Sequence, residues 1–305
     1  MYLRNDKQEL SLREQFQEYF KDEERNFQNT SQKIQDEFFE EFTKRCIIPN
    51  KDKIPRLYRY SPADYCNLRN LETETLMLSS VGNMNDIFEG LAGEVDSEII
   101  TSLDELRDIA FIKSFTEQKN DILMWGHYGE QYAGMCVEYD FSELTDAVLY
   151  HLFPVIYSDD RYHIKTLGNA VDDLYELKKA NKENYYPDFS ESLFDIMALF
   201  LQKSSSWKNE KEWRIVATYL HIHNEAEDFY NIVNGCKLPL FGLNDKIISV
   251  KNCIKAVYIG PRMQKMQREH IKEICSELKD VKVYELVISK SKYGFEEKEV
   301  LKENK

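Results

Sequence analysis

The sequence predicts an α+β fold: a mixed, mainly antiparallel or split sheet with flanking helices and an N-terminal helical arm. Three observations carry that expectation. Strand-like and helix-like segments are interleaved without strict βαβ alternation, which disfavours a doubly wound parallel sheet. The first 50 residues are helix-patterned, with Leu10, Phe16 and Phe20 and then Phe38, Phe39 and Phe42 recurring among charges. At 305 residues, 42% of them hydrophobic, the chain is long enough to bury a sizeable core.

The elements follow in order. Pro49 and Pro55 end the arm, which reads as an ordinary covering helix pair on the main body, with packing on a second copy in a homodimer, or on another protein partner, as the alternative. Leu57-Tyr58-Arg59-Tyr60 reads as a short aromatic strand. Ser61-Pro62 has the form of a helix start, with Ser capping and Pro in the first turn. Thr75 to Ser79 reads as a second strand, 82–86 as a polar loop, and Ile112 to Thr116 as a third strand. Asn120-Asp121 caps a helix from about Ile122 to Tyr132, which reads as buried because it is apolar nearly all round. Met135 to Asp140 and Pro154 to Tyr157 read as strands. Phe189 to Gln202 reads as a strong amphipathic helix with Leu193, Ile196, Met197 and Phe200 on one face, and Glu210 to Leu220 is a clear strand. Ile254 to Ile259, Met263 to Leu278 and Val281 to Ile288 complete a strand, a helix and a strand. The expected division is an arm over 1–55, a main α+β domain over 56–290 with a helical insertion near 159–203, and a frayed tail over 291–305.

The charge narrows the partners. A net charge of −14 repels nucleic acid and anionic membranes, so nucleic acid is disfavoured as a partner. No window approaches the ~18 apolar residues of a membrane span, and the first residues lack an apolar signal region. The six cysteines form no CxxC pair, and no histidine stands at zinc-ligand spacing from them. Reduced thiols, a cytoplasmic location and no metal are therefore expected.

The chemistry concentrates in three aromatic-rich polar motifs. In an extended Glu210 to Val216, alternate residues share a face. Glu210, Glu212 and Arg214 then point away from Trp213 and Ile215, toward a cleft or solvent. Two carboxylates about 7 Å apart on a strand can hold a ribose diol or stabilise an oxocarbenium ion; a solvated face in which Arg214 neutralises a glutamate is the alternative. Arg59 between Tyr58 and Tyr60 suits a planar phosphorylated ligand, by stacking and by a guanidinium fork, and pairing with a core-edge carboxylate is the other reading. Ser79, Ser80, Asn83, Asn85 and Asp86 follow a strand end and can either orient a ligand or form a plain turn. His127 is the best-placed histidine for general-base work or as a ligand donor, beside Tyr128, and a helix histidine hydrogen-bonded inside the fold is the alternative. Tyr258 to Met263, YIGPRM, can present backbone N–H groups to an anion or act as a structural turn.

Taken together, LYRY, LMLSSVGNMNDIFEG, SFTEQKNDILMWGHYGEQYAGMCVEYD, KSSSWKNEKEWRIV and AVYIGPRM resemble the bacterial domain-of-unknown-function family 2971. The resemblance runs from about Arg56 to Ile288 and implies a stand-alone bacterial protein associated with antiphage defence. A second, more distant resemblance is to ADP-ribosyltransferases, through Arg59, Ser79-Ser80 and Glu210-x-Glu212 in that order. It implies NAD as substrate, with Arg59 on its phosphates, Ser80 orienting the ribose and Glu212 facing the oxocarbenium-like transition state. On this reading Glu212, Glu210 and His127 are the catalytic candidates. Arg59, Tyr60, Ser79, Ser80, Asn85 and Tyr128 are the ligand-binding ones. A non-catalytic sensor module and a metal-free nuclease or nucleotide hydrolase are the competing expectations.

Overall fold

The computed structural model describes residues 10–25, 38–84, 86–90, 107, 110–162, 193–218, 230–233, 236–239 and 246–300. Its helices are α1 (Leu12–Arg25), α2 (Phe38–Phe42), α3 (Tyr65–Glu72), α4 (Ile122–His127), α5 (Asp146–Leu149), α6 (Leu193–Leu201) and α7 (Lys265–Glu277). Its strands are β1 (Leu57–Ser61), β2 (Thr75–Met77), β3 (Ser79–Ser80), β4 (Ala110–Thr116), β5 (Met135–Tyr139), β6 (Leu152–Pro154), β7 (Ile156–Ser158), β8 (Gln202–Ser204), β9 (Glu212–Thr218), β10 (Tyr230–Val233), β11 (Cys236–Pro239), β12 (Ile247–Ser249), β13 (Ile254–Ile259), β14 (Lys282–Ile288) and β15 (Phe295–Glu299). No described helix is long and apolar enough to cross a membrane.

Among the described residues the main sheet has nine strands, in the order β15-β14-β13-β5-β1-β4-β9-β6, with β3 also on β4. Its pairs are antiparallel except β13–β14. That parallel pair needs a crossover, which α7 supplies. The fold is therefore α+β with a mainly antiparallel sheet. β1 pairs with β5 over five residues but with β4 only at Tyr58↔Thr116. β3 takes β4 at Phe111 and Ile112. Among the described residues the β4 edge at 113–115 thus has no strand partner, and an opening separates β1 from β3.

Strand alternation divides the side chains between two faces. Leu57, Phe115, Val137, Trp213 and Val257 belong to a large core with Phe16, Phe39, Leu71 and Ile271 from the helices. Tyr58, Tyr60, Trp125, Cys136 and Tyr258 form a smaller aromatic cluster. By register, Thr116, Glu212, Ser114 and Arg214 lie on the tyrosine side of the sheet.

The arm is built into this core. Phe16 is fully buried, with ring centroids 5.0 Å from Phe42 and 5.6 Å from Phe153 on β6. Arg13 pairs with Glu117 at 2.7 Å and donates from Nη2 to the Glu212 carbonyl at 2.9 Å. Several local expectations differ from what forms. Ser61 ends β1, and Asp64 is the N-cap of α3, accepting from Asn67 N. The run 75–79 becomes two strands in different sheets, β2 with β12 and β3 with β4. Helix α6 is buried all round at 194–200 rather than amphipathic, because it is covered on every side. Residues 163–192 of the expected insertion lie outside the described residues, as do 301–305. The tail expected to fray forms β15 instead, registered on β14 from Tyr284↔Glu299 to Ile288↔Phe295.

Helix α4 stops at His127, five residues early. Glu130, Gln131 and Tyr132 all take positive φ (50°, 52° and 72°), a left-handed turn that no α-helix can contain. Only Trp125 of α4 is buried; Ile122 and Leu123 are exposed, so the helix is not the buried rod its composition suggested. The YIGPRM segment clamps the turn. Gly260 N donates to Gly134 O at 2.9 Å and Arg262 N to Tyr132 O at 3.0 Å. These N–H groups are therefore spent on the turn rather than offered to an anion. A Cβ at Gly260 would stand 2.3 Å from Tyr132 O, so only glycine permits this approach.

Phe16→Ala tests whether the arm is part of the core. Loss of a fully buried phenylalanine is expected to cost roughly 3–5 kcal/mol, read as a lowered urea midpoint. A change below about 1 kcal/mol would mean that α1 does not support the sheet.

Candidate functional site

One cavity of about 210 Å³ gathers most of the sequence-predicted residues. Arg59, Tyr60, Ser79, Tyr128, Glu210 and Glu212 all line it. Tyr58, Met124 and Trp207 add apolar and aromatic wall, and Glu89, Lys113 and Lys203 add charge. Alternation sends Arg59 to the opposite side of β1 from its two tyrosines, yet all three line the cavity, because it lies at the opening where β1 and β4 part. There Arg59 Nη1 donates to Ser114 O at 3.1 Å, and burial lowers the Arg59 pKa.

The other expected residues lie elsewhere. His127 is exposed and is not among the lining residues, so the structure does not place it as a base for this cavity. Its position is fixed by the early end of α4. Ser80 donates to Arg107 O at 3.1 Å and caps the turn at 81–83. Asn85 lies outside the described residues.

The two glutamates do not share a strand. Residues Ser205–Glu210 form a 3-10 turn, and Lys211 then turns left-handed (φ 45°) to start β9 at Glu212. Lys203 brings their carboxylates together. Its Nζ stands 2.8 Å from Glu210 Oε2, 3.0 Å from Glu212 Oε2 and 3.5 Å from Glu89 Oε1. Arg214, with no exposed surface, forks onto Glu212 through Nε at 2.7 Å and Nη2 at 3.1 Å. Its Nη2 also reaches Glu89 at 2.7 Å, and its Nη1 donates to Phe200 O at 2.6 Å. Arg214 therefore does neutralise a glutamate, but inside the protein rather than on a solvated face.

Burial alone would raise the Glu212 pKa; Arg214 and then Lys203 outweigh it and hold the carboxyl at about 2. Burial likewise opposes charge on Lys203, but Glu212 and its neighbours push that amine above the ordinary lysine range. The cluster of Glu89, Glu210, Glu212, Lys203 and Arg214 holds one carboxylate in excess. Glu89 Oε2 is buried and has no hydrogen-bond partner among the described residues. Of the three carboxylates Glu210 is the most accessible, at 11% against 5% and 2%, which makes it the one best placed to meet a ligand. Tyr128 Oη donates to Glu210 Oε1 at 2.8 Å, and Thr116 Oγ1 donates to the Glu210 carbonyl.

Lys203, Glu89, Trp207 and Lys113 were not foreseen. Glu89, Lys203 and Trp207 all stood inside quoted motifs without being singled out, and Lys203 lies 4.9 Å over the Trp207 ring. Glu89 and Lys203 reach the site only through tertiary packing. A second cavity of about 250 Å³ shares Asp86, Glu89 and Lys203 with the first, so these side chains form a partition between two spaces.

Glu212→Gln removes one member of a buried ion cluster and is expected to cost roughly 3 kcal/mol at neutral pH. The folded-state pKa of Glu212 lies below its ordinary 4.5. Its stabilisation is thus present above about pH 4.5 and is lost as the pH falls toward 2. The gap in melting temperature between wild type and Glu212→Gln should be wide at pH 7 and narrow as the pH is lowered below 4.5. A gap independent of pH would show that the carboxylate charge is not what stabilises.

Residues 124–215 match the family described as "Protein of unknown function (DUF2971)". The matched stretch includes Tyr128, Lys203, Glu210, Glu212 and Arg214, but not Arg59, Ser79, Glu89 or Lys113. No curated protein and no solved structure matches the chain.

Proposed function

We propose that the cavity takes a nucleotide-type ligand of the NAD kind, and that the excess carboxylate beside it favours cleavage of the bond between ribose and a cationic ring. The observation that carries this reading is the polarity of one cavity. Glu89, Glu210 and Glu212 outnumber Lys203 and Arg214 at one part of the wall, while Arg59 and Lys113 line another. Tyr58, Tyr60, Tyr128 and Trp207 line the same cavity and supply flat surface. A ligand with a cationic planar ring, a sugar and a phosphate matches these three kinds of lining. At about 210 Å³ the cavity is smaller than the ~300–1,000 Å³ of drug-sized sites, so it encloses a ring and a sugar, with the remainder of a dinucleotide outside.

In the proposed reaction the bond between ribose C1′ and the ring nitrogen breaks, and its electron pair leaves with the neutral nicotinamide. Positive charge develops at C1′ and the ring oxygen of the ribose. Glu210, held by Lys203 and Tyr128, faces that charge already ordered and desolvated, which is the arrangement that stabilises a transition state. Water or an acceptor nucleophile then adds to C1′ and releases a proton. Glu212 takes a different part from the one its motif suggested: it is the less accessible of the two and is paired with both Arg214 and Lys203, so it fixes Lys203 and through it Glu210. A cytoplasmic effector in antiphage defence is the setting that the family resemblance suggests for such chemistry.

The occupancy of Glu212 also favours a second reading, a sensor that binds the same ligand without consuming it. Calorimetry with NAD and with nicotinamide riboside, together with chromatography for released nicotinamide, separates the two. Glu210→Gln is expected to lower nicotinamide release roughly 100-fold while circular dichroism stays unchanged. Binding without release would leave the sensor reading. No heat from either compound at millimolar concentration would end both.

A further inference from the structure

Lys113 is the least explained charge in the molecule. It stands in the middle of β4, is 5% exposed, and makes no hydrogen bond or ion pair among the described residues. A buried ammonium without a partner is costly. Across the opening stands Arg59, whose hydrogen bond among the described residues is the one from Nη1 to Ser114 O. The remaining guanidinium N–H groups of Arg59 have no protein acceptor there. Both residues line the cavity.

Both basic side chains have spare donors, Lys113 buried and Arg59 half-buried, and their like charges repel unless an anion lies between them. The place is also unusual for the backbone. The β4 edge at 113–115 lacks a strand partner because β1 leaves at Thr116 and β3 joins only at Ile112. The sheet gives up pairing there and opens the cavity instead.

We propose that Lys113 and Arg59 form an anion subsite in the opening between β1 and β3, built for a phosphate group. Arg59 supplies a planar fork and Lys113 a point charge, the complementary pair of donors that a tetrahedral dianion takes. The subsite rests on the nucleotide reading only for what carries the phosphate, which would be the part of the ligand distal to its ring. The charge state of Lys113 supports the same assignment. Burial, then the repulsion of Arg59, lower its pKa to about 7, against a smaller opposite pull from Asp64 at the start of α3. Binding of an anion that restores the charge must then be accompanied by uptake of a proton.

The free protein pays for this arrangement in stability. The folded pKa of Lys113 lies below its ordinary 10.5, so the unfolded chain holds more protons between about 7 and 10.5. Stability rises with pH across that range, and the penalty is fully present below about 7. Lys113→Met is therefore expected to melt higher than wild type at pH 6, with the difference shrinking toward pH 10.

The experiment is calorimetry of the full chain with inorganic pyrophosphate and with sulfate, a dianion that does not titrate near neutrality. Wild type should bind both saturably, and at pH 8 sulfate binding should take up protons, seen as heats that differ between Tris and HEPES. Lys113→Met should weaken both anions roughly tenfold or more and abolish the proton uptake, although it melts higher. Lys282→Met, an exposed lysine on β14, should change neither. Equal affinity of wild type and Lys113→Met, or no binding of either anion by wild type at millimolar concentration, would overturn the subsite. Nicotinamide riboside, which has no phosphate, keeps the two readings apart. If it binds and the anions do not, the subsite fails alone; if the anions bind and it does not, the ring pocket fails alone.

Discussion

Arg214 has no exposed surface, and a guanidinium cannot shed its charge to escape burial. Everything around it answers that constraint. Glu212 two residues away on the same strand, Glu89 from the segment at 86–90 and the carbonyl at the end of α6 all converge on it. The two carboxylates then bring a second cation, Lys203 on β8, and Lys203 brings Glu210. One buried cation thereby ties together β9, β8, α6 and the residues after β3, which are far apart in the chain. Such a network is weak ground for net stability, because desolvation offsets much of its Coulomb energy. Its value is geometric: each charge is satisfied in one arrangement, and misplacing any element strands an ion in the core.

The fold was readable where apolar alternation and turn chemistry agree. Trp213 and Ile215 marked β9, Asp121 marked the start of α4, and Gly260-Pro261 marked the end of β13. The site was readable in part. Arg59, Ser79 and Glu212 do line one cavity, and Glu212 and Arg214 do face away from Trp213, but Glu210 stands on the turn before β9 rather than on the strand, and the cluster is buried. Charge on a strand is not a sign of exposure here, because Lys203 and Arg214 make burial of the carboxylates tolerable, and Lys203 cannot be seen from the strand itself. Lys203 sat at the end of an apolar helical run and Glu89 after a polar loop; neither carries a local signal of its partner. Lys113 shares its strand face with Phe111 and Phe115, so alternation places it toward the core, and only the missing neighbour at 113–115 among the described residues shows that it opens onto a cavity. The left-handed turn at 130–132 is equally silent, since Glu, Gln and Tyr are not residues that announce positive φ.

That turn explains how Tyr128 reaches the carboxylates. Three consecutive residues in the left-handed region cost of order 1–3 kcal/mol each, and the turn persists because Gly260 and Arg262 hold it from β13. Tyr128 caps the end of α4 just before the strained residues and puts its hydroxyl on Glu210. Aromatic packing of Trp125 against Tyr60 fixes the same helix from below, with ring centroids 5.1 Å apart. The cavity wall is thus set by β1, α4 and the β13 turn acting together, and the polar cluster is set by β9 and β8. The ligand space is what these two rigid groups leave between them.

The two ends of the sheet decide how this molecule meets others. β15, at one margin, reads FEEKE and carries Glu296, Glu297, Lys298 and Glu299 on its few residues. β6, at the other, has three residues and ends in Pro154, which has no N–H to give. Dense like charge on one rim and a truncated, proline-stopped strand on the other are both ways of blocking strand addition. A sheet of this size would otherwise be a template for stacking copies end to end. Any assembly this chain enters is therefore expected to use its side-chain surfaces, leaving its backbone ladder closed to newcomers.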